Sequence, residues 1–348
     1  MTAATPSDPN AAPEPAPLDP AALDSAPLDP AALGLDPAIG SWAARNAEIA
    51  AGLPALGGAD PVAHREAGLR LSDLLAAEFT EPVPAGVAID DIRIAGGDGP
   101  LRARRFRPAD APAALPTLVW CHGGGFIGGT IDEILNDRLC AGLALRSRVQ
   151  ILSIEYRLAP EHPYPAAVDD LVAAVHDARA RPAALGIDPS RIGVGGNSAG
   201  ATIAATTAIR LRDAGSPAHH QALEVLPAAL RVHGASMAQY ARGFGLDDAL
   251  DLAEVYRAGA PLSESSPLDA PDHRDLPPTL LMIAEHDPLR DGALAYADAL
   301  RSASVPVSVH LGRGHVHGSP GLTARWQGSR DWREAFAAGL ARGYAVDA

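Results

Sequence analysis

Six short apolar runs, at 117–121, 149–155, 191–195, 223–228, 279–285 and 306–311, alternate with longer stretches of helical period. That alternation is the strongest constraint on the fold. Strands alternating with helical stretches of ten or more residues imply a mostly parallel sheet covered by helices on both faces. Helical periods are read at about 132–147, 166–181, 199–213, 289–303 and 330–344. Val168, Leu171, Val172 and Val175 form one apolar stripe; Ser329 is the expected N-cap of the last helix, with Trp332, Phe336 and Leu340 on one face. Upstream, the Gly-Gly-Asp-Gly at 96–99 joins strand-like runs 87–95 and 101–107 as a hairpin. The expected fold is therefore α/β: an eight-stranded, mostly parallel sheet with helices on both faces. In such sheets reactive groups collect just beyond the carboxyl ends of the strands.

The flanking segments differ. Residues 1–34 are rich in Pro, Ala and Asp and repeat PLDPAAL at 17–23 and 27–33, which reads as a disordered acidic tail. Helices are expected at 38–51 and 61–79; in the second, Leu71, Leu74, Leu75 and Phe79 share a face. An irregular insertion at 229–262, helical near 247–258, interrupts the alternation. The division expected is a tail (1–34), N-terminal cap helices (35–85) and a catalytic domain (86–348) carrying a cap insertion (229–262).

Composition excludes several chemistries. The net charge is −14, which argues against nucleic acid or an anionic membrane as partner. All 28 basic residues are arginine, so no lysine can form a Schiff base or serve a phosphate loop. Two cysteines, Cys121 and Cys140, cannot build a disulfide framework or a thiolate cage. No charged, apolar leader follows Met1 and no apolar run is long enough to span a bilayer, so the expected location is cytoplasmic.

The chemistry is expected at four strand ends. The run RIGVG leads into Gly196-Asn197-Ser198-Ala199-Gly200, a G-x-S-x-G sequence at a strand-to-helix turn. A serine on so sharp a turn needs glycines two residues to either side, because a Cβ there would collide. After TLVWC comes His122-Gly123-Gly124-Gly125, where bare backbone N–H groups can face an anion. A nucleotide loop would need G-x-x-x-x-G-K-[ST], which is absent. The N–H groups of Gly123, Gly124 and Gly125, with that of Ala199, suit an oxyanion hole better, and His122 is read as tying the loop down. The strand TLLMIAE delivers Asp287, in place to orient a histidine; Asp291 falls inside the next helix, where the dipole favours it. The strand VPVSVHL is followed by two histidines, His315 and His317, which spacing alone does not separate.

With these elements placed, the chain resembles the hormone-sensitive-lipase-like branch of the α/β-hydrolases. HGGGFIGG at 122–129 resembles its oxyanion signature, and YRLAPEHPYPAAVDD at 156–170 its segment after the fourth strand. GNSAGA at 196–201, LPPTLLMIAEHDPLRD at 276–291 and GHVHG at 314–318 are similar to its nucleophile elbow, acid-bearing strand and histidine motif. The resemblance implies Ser198 as nucleophile, Asp287 as acid and His317 as base, with His315 lining the pocket or touching solvent. It implies hydrolysis of short- to medium-chain acyl esters through an acyl-serine, without cofactor or metal. The partner implied is a small-molecule ester, with a homodimer left open. A deacetylase or amidase is the alternative chemistry; a ligand receptor would require a lost triad member, and all three positions are filled.

Two departures stand out: Asn197 where the family has Asp, and Ser319 where it has Phe, expected to open or wet a pocket wall. Glu161 and His162 are read as loop-shaping, the carboxylate satisfying backbone donors. Met237, Tyr240, Phe244 and Leu246 are the expected apolar pocket lining.

Overall fold

The computed structural model describes residues 30–240, 246 and 248–345. Phe244 and residues 1–29 of the expected tail lie outside that range. The alternation read from the sequence is realised as eight strands: β1 (Val87–Gly96), β2 (Gly99–Pro108), β3 (Leu115–Cys121), β4 (Gln150–Ile154), β5 (Ile187–Asn197), β6 (Gln221–Glu224), β7 (Thr279–His286) and β8 (Val307–Val316). They form one sheet in the order β1-β2-β4-β3-β5-β6-β7-β8. The β1–β2 and β2–β4 pairs are antiparallel and every other pair is parallel. The hairpin closes where the Gly-rich spelling places it, with Gly96 opposite Gly99.

Eleven α-helices occur among the described residues: α1 (Pro37–Ala51), α2 (Pro61–Phe79), α3 (Ile134–Ser147), α4 (Ala166–Ala180), α5 (Pro182–Leu185), α6 (Ala199–Asp213), α7 (Gly234–Tyr240), α8 (Ala249–Arg257), α9 (Leu262–Ser265), α10 (Arg290–Ser302) and α11 (Gln327–Gly343). Because strand side chains alternate, the central strands feed two cores. Val119, Leu152, Val194, Leu281 and Ile283 pack with the stripe Val168, Leu171 and Val175 of α4 and with α6 and α10. Leu118, Trp120, Ile151, Leu280 and Met282 pack with α3 and with Trp332, Phe336 and Leu340 of α11. A third, smaller cluster joins Leu35, Ile39 and Trp42 to Phe79, Val316 and Leu322, and so fastens α1 to the end of β8.

Several expectations need correction. Order begins before residue 35: Leu35 N–H bonds to Pro30 O (3.0 Å), and Leu33 packs on the third cluster. The strand expected at 223–228 is only Gln221–Glu224; Val225 turns to a positive φ of 45°, and the apolar run continues as buried loop instead. Ser329 is not an N-cap. It lies inside α11, whose N-cap is Trp326, and its hydroxyl donates to Ser319 O. Leu74 is exposed, Leu71 of the same predicted stripe faces a cavity, and Leu75 packs on the third cluster while also lining that cavity. Strand β8 runs on to Val316, five residues past its expected end, after a register shift between Ala284 and His286.

Candidate active site

Four loops open at the carboxyl ends of parallel strands, and each starts with a residue singled out from the sequence. His122 follows β3, Ser198 follows β5, Asp287 follows β7 and His317 follows β8. Ser198 is held at φ 51°, ψ −124°, a strained conformation for a side-chain-bearing residue. The flanking glycines are needed for the reason their spacing suggests. A Cβ on Gly196 would lie 2.4 Å from the Gly200 carbonyl carbon, and one on Gly200 would lie 2.0 Å from Cys121 O. The turn is secured from β6, whose Glu224 O accepts the Ser198 N–H (2.9 Å).

Ser198 Oγ lies 2.9 Å from His317 Nε2, and His317 Nδ1 lies 2.8 Å from Asp287 Oδ2. Asp287 is 1% exposed, and its second oxygen accepts Leu289 N–H (2.9 Å). A buried carboxylate on Nδ1 sets the tautomer: Nδ1–H donates to Asp287, so Nε2 is free to accept from the serine hydroxyl.

The structure separates the two histidines, and His315 does not line the pocket or meet solvent. It is buried between Trp326 (4.3 Å between ring centroids) and Trp332 (4.7 Å), with Nδ1 on Ser319 Oγ and Nε2 on Gly328 O. Burial pulls its pKa down to about 4, which keeps the ring neutral. Ser319 is likewise no pocket wall: it is fully buried, and its hydroxyl ties the Val316 backbone N–H and carbonyl into one knot with His315. Asp291 accepts Ser236 N–H (2.8 Å) and so joins α10 to α7, a contact beyond the dipole role expected of it.

The glycine loop faces Ser198. Gly123, Gly124 and Gly125 line the same cavity as Ser198 and His317, and Gly124 and Gly125 have φ of 124° and 61°. The loop is clamped from three sides. Inside, the His122 ring stacks on Tyr156 (4.4 Å), whose hydroxyl donates to His122 O. From α8, Tyr256 stacks on Phe126 (4.1 Å). From α2, Arg65 donates to Ile127 O (2.7 Å) and Ala159 O (2.8 Å) and forks onto Glu161 (2.9 and 2.5 Å). Glu161 therefore pairs first with a guanidinium, which holds its pKa down at about 2, and its own backbone N–H adds to that effect, as expected of a loop-shaping carboxylate. Fully buried Asp170 also serves backbone donors, accepting from Gly97 N (2.8 Å) and Arg157 N (2.9 Å).

Two chambers meet at Ser198. The larger, about 470 Å³, is walled by Trp42, Arg65 and Leu75 from the N-terminal helices and by Leu246, Asp248 and Leu252 from the insertion. Polar side chains also line it, among them Glu133, Asn136, Glu224 and Arg333. Glu224 and Arg333 form a buried ion pair, and Trp332 Nε1 donates to the same carboxylate (2.6 Å). Burial, reinforced by Asp73 and Glu155, pushes the Glu133 pKa up to about 8. The smaller chamber, about 40 Å³, is apolar, lined by residues such as Phe126, Leu230, Met237 and Leu246. Met237 and Leu246 thus fall where the expected lining put them. Tyr240 does not; it is buried against His286 and Arg290.

Arg65, Glu133, Glu224 and Arg333 were not found by sequence reasoning. None sits in a motif with its partner, and each acquires its place only when distant segments meet. Among the described residues there is no metal-ligating cluster of His, Cys, Asp or Glu, and no helix is long and apolar enough to cross a membrane.

The family described as "alpha/beta hydrolase fold" matches residues 118–320, more than half of the chain. The chain belongs to the α/β-hydrolases, in their hormone-sensitive-lipase-like branch. Esterase LipI of Mycobacterium tuberculosis is 37% identical over 250 residues, covering 69% of this chain and 78% of that protein. An ethyl acetate hydrolase of Pseudomonas putida is 33% identical over 263 residues, covering 71% and 79%. Among solved structures, an ester-hydrolase from the metagenome of Lake Arreo, complexed with a bipyridine phosphonate derivative, superposes with a TM-score of 0.81 at 33% identity over 90% of this chain and all of that one. This α/β-hydrolase is a carboxylic ester hydrolase acting on small-molecule esters.

Proposed function

We propose that Ser198, His317 and Asp287 are the catalytic residues and that the substrates are esters of short acyl groups. The observation that carries the first part is the unbroken hydrogen-bonded chain from Ser198 Oγ through His317 to buried Asp287. Ser198 Oγ attacks the ester carbonyl carbon while His317 Nε2 takes its proton. The oxyanion receives N–H groups from the loop Gly123, Gly124 and Gly125 and from Ala199, which opens α6. The C–O bond then breaks, and His317 returns the proton to the leaving alcohol. Water, deprotonated by His317, attacks the acyl-serine, and the acid departs as Ser198 regains its proton.

The second part rests on the chambers. At roughly 10–15 Å³ for each water-sized group, the apolar chamber of about 40 Å³ accepts about three heavy atoms. That matches an acyl tail up to butyrate, and the larger chamber, whose apolar wall is interrupted by polar side chains, is left for the alcohol. Each methylene adds about 0.8 kcal/mol only while apolar wall remains for it. A cytoplasmic location is part of the same reading, supported by Cys121 and Cys140, which are both unpaired and buried.

The test is a series of p-nitrophenyl esters from two to sixteen carbons, with a fluorophosphonate probe as a titrant of the nucleophile. We expect one label per chain, lost in Ser198→Ala, and a maximum of kcat/KM at three to four carbons. A maximum at twelve carbons or beyond would refute the chamber assignment. Undiminished labelling of Ser198→Ala would refute the nucleophile.

A further inference from the structure

On the far side of the chamber wall, α3 and α11 face each other across a second cleft of about 250 Å³, roofed by Glu81, Pro82 and Pro84. Arg138 and Arg146 point into it from one face of α3, and Arg330 and Arg333 from α11. Four guanidinium groups thus share one cleft with a single lining carboxylate, Glu81, in a chain of net charge −14. Gly142 lies between the two arginines of α3. A Cβ there would sit 2.7 Å from Arg146 Nη1, so the glycine leaves room for that head group to lie back over the helix.

The pairing of these cations is incomplete. Arg146 meets Glu334, and Arg333 meets Glu224. Arg138 and Arg330 form no ion pair among the described residues. Arg138 Nη1 donates to the carbonyls of Ala76 and Thr80 (2.5 and 2.6 Å) at the end of α2. Arg330 donates to Thr323 O (2.6 Å) and to Gln327 Oε1 (2.9 Å). Carbonyl dipoles orient a guanidinium without cancelling its charge. With five N–H donors each, both arginines keep donors to spare. Like charges gathered across a helix–helix groove repel, and an anion between them reverses that term.

We infer that this cleft is a binding site for an oxyanion, a phosphate or carboxylate group arriving from solvent, held by Arg138 and Arg330 and flanked by Arg146 and Arg333. Guanidinium forks match the oxygens of such groups two at a time. Thr80, Leu139 and Arg333 stand between the cleft and the catalytic chamber and line both, so the site lies outside the ester-binding space.

Inorganic phosphate is the probe, titrated calorimetrically into the full chain at constant ionic strength with chloride as the balancing anion. One saturable site is expected, and it should survive blocking of Ser198 with a phosphonate. Affinity should fall by about tenfold or more in Arg330→Gln and in Arg138→Gln, with Arg330→Lys retaining part of it. Arg330→Gln decides the matter if Arg138→Gln loosens the end of α2, because the hydrogen bonds of the Arg330 side chain among the described residues run to Thr323 and Gln327, within its own turn and the loop before it. Absence of saturable binding up to about 50 mM phosphate would overturn the proposal. So would undiminished binding in Arg330→Gln, or loss of binding when Ser198 is blocked, which would place the anion in the oxyanion hole instead.

Discussion

Replacing Arg65 by Ala removes four hydrogen bonds that join α2 to the glycine loop, proposed to form the oxyanion hole, and to the segment after β4. Two of them serve the carbonyls of Ile127 and Ala159, at 2.7 and 2.8 Å. The other two fork onto Glu161, whose side chain is 41% exposed against 25% for Arg65. Bonds from a charged donor are worth about 1.5–3 kcal/mol when dry, and an exposed ion pair less than about 1 kcal/mol. With partial exposure, a total loss of about 2–3 kcal/mol in stability is expected. The effect on rate should exceed what that loss explains. Ile127 is two residues from Gly125, and losing one oxyanion donor outright costs about 10²–10³ in kcat. A loop that is displaced but still held by the Phe126–Tyr256 stack should lose about tenfold. The assay is kcat and KM for p-nitrophenyl butyrate alongside thermal unfolding, for Arg65→Ala, Arg65→Lys and Glu161→Gln. Arg65→Lys should recover part of kcat, and Glu161→Gln should change it by less than about twofold, because the carbonyl bonds remain. An unchanged kcat in Arg65→Ala would refute the positioning role, and a rise in KM alone would place Arg65 on the substrate instead.

The two histidines should part cleanly. His317→Ala should lower kcat by about 10³ or more with little change in stability, whereas His315→Ala should cost about 2–4 kcal/mol of stability, read by denaturant unfolding, and leave kcat of the folded enzyme within a few fold. Glu133 carries a pKa raised from an ordinary 4.5 to about 8, so the unfolded chain releases this proton more readily than the folded one, and stability falls as pH rises from 4.5 to 8. The upper bound is about 5 kcal/mol, and about 2 kcal/mol is expected because Glu133 lines the open chamber; Glu133→Gln should therefore stabilise the enzyme at pH 8 and not at pH 4, checked by urea unfolding at both. His315 works in the opposite sense: with its pKa lowered to about 4, stability falls as pH drops from 6.5 towards 4, and His315→Ala should remove that slope. Removing residues 1–36 should lower Tm by several degrees, because it deletes the Leu35 anchor and the Asp36 N-cap on Ala38 N, whereas removing 1–29 should leave Tm nearly unchanged; scanning calorimetry compares the two.

Where strand and helix periods alternate, the sequence alone determined the layers, the hairpin and the four strand-end loops at which the proposed triad and the glycine run sit. Those features are local: a period of 2 or 3.6, a glycine where a Cβ would strike backbone, a serine at the turn between them. It also placed Ser198 and Asp287, because each is the first residue after a strand, and strand ends are set by short-range pattern. Tertiary structure decided the rest. Spacing leaves His315 and His317 equivalent and only the motif resemblance favours His317; the structure shows why, with His315 packed between Trp326 and Trp332 and His317 on Asp287. Ser319 reads as an opened pocket wall until its hydroxyl is seen bound to its own loop. Arg65 lies 96 residues from Glu161, and Glu224 lies 109 from Arg333. Such pairs leave no periodic trace, because a charge in a helix or at a strand end is compatible with solvent until another element covers it. The size of the chamber proposed for the acyl group belongs to the same class, since a cavity is the space left between elements and no single stretch of sequence encodes it.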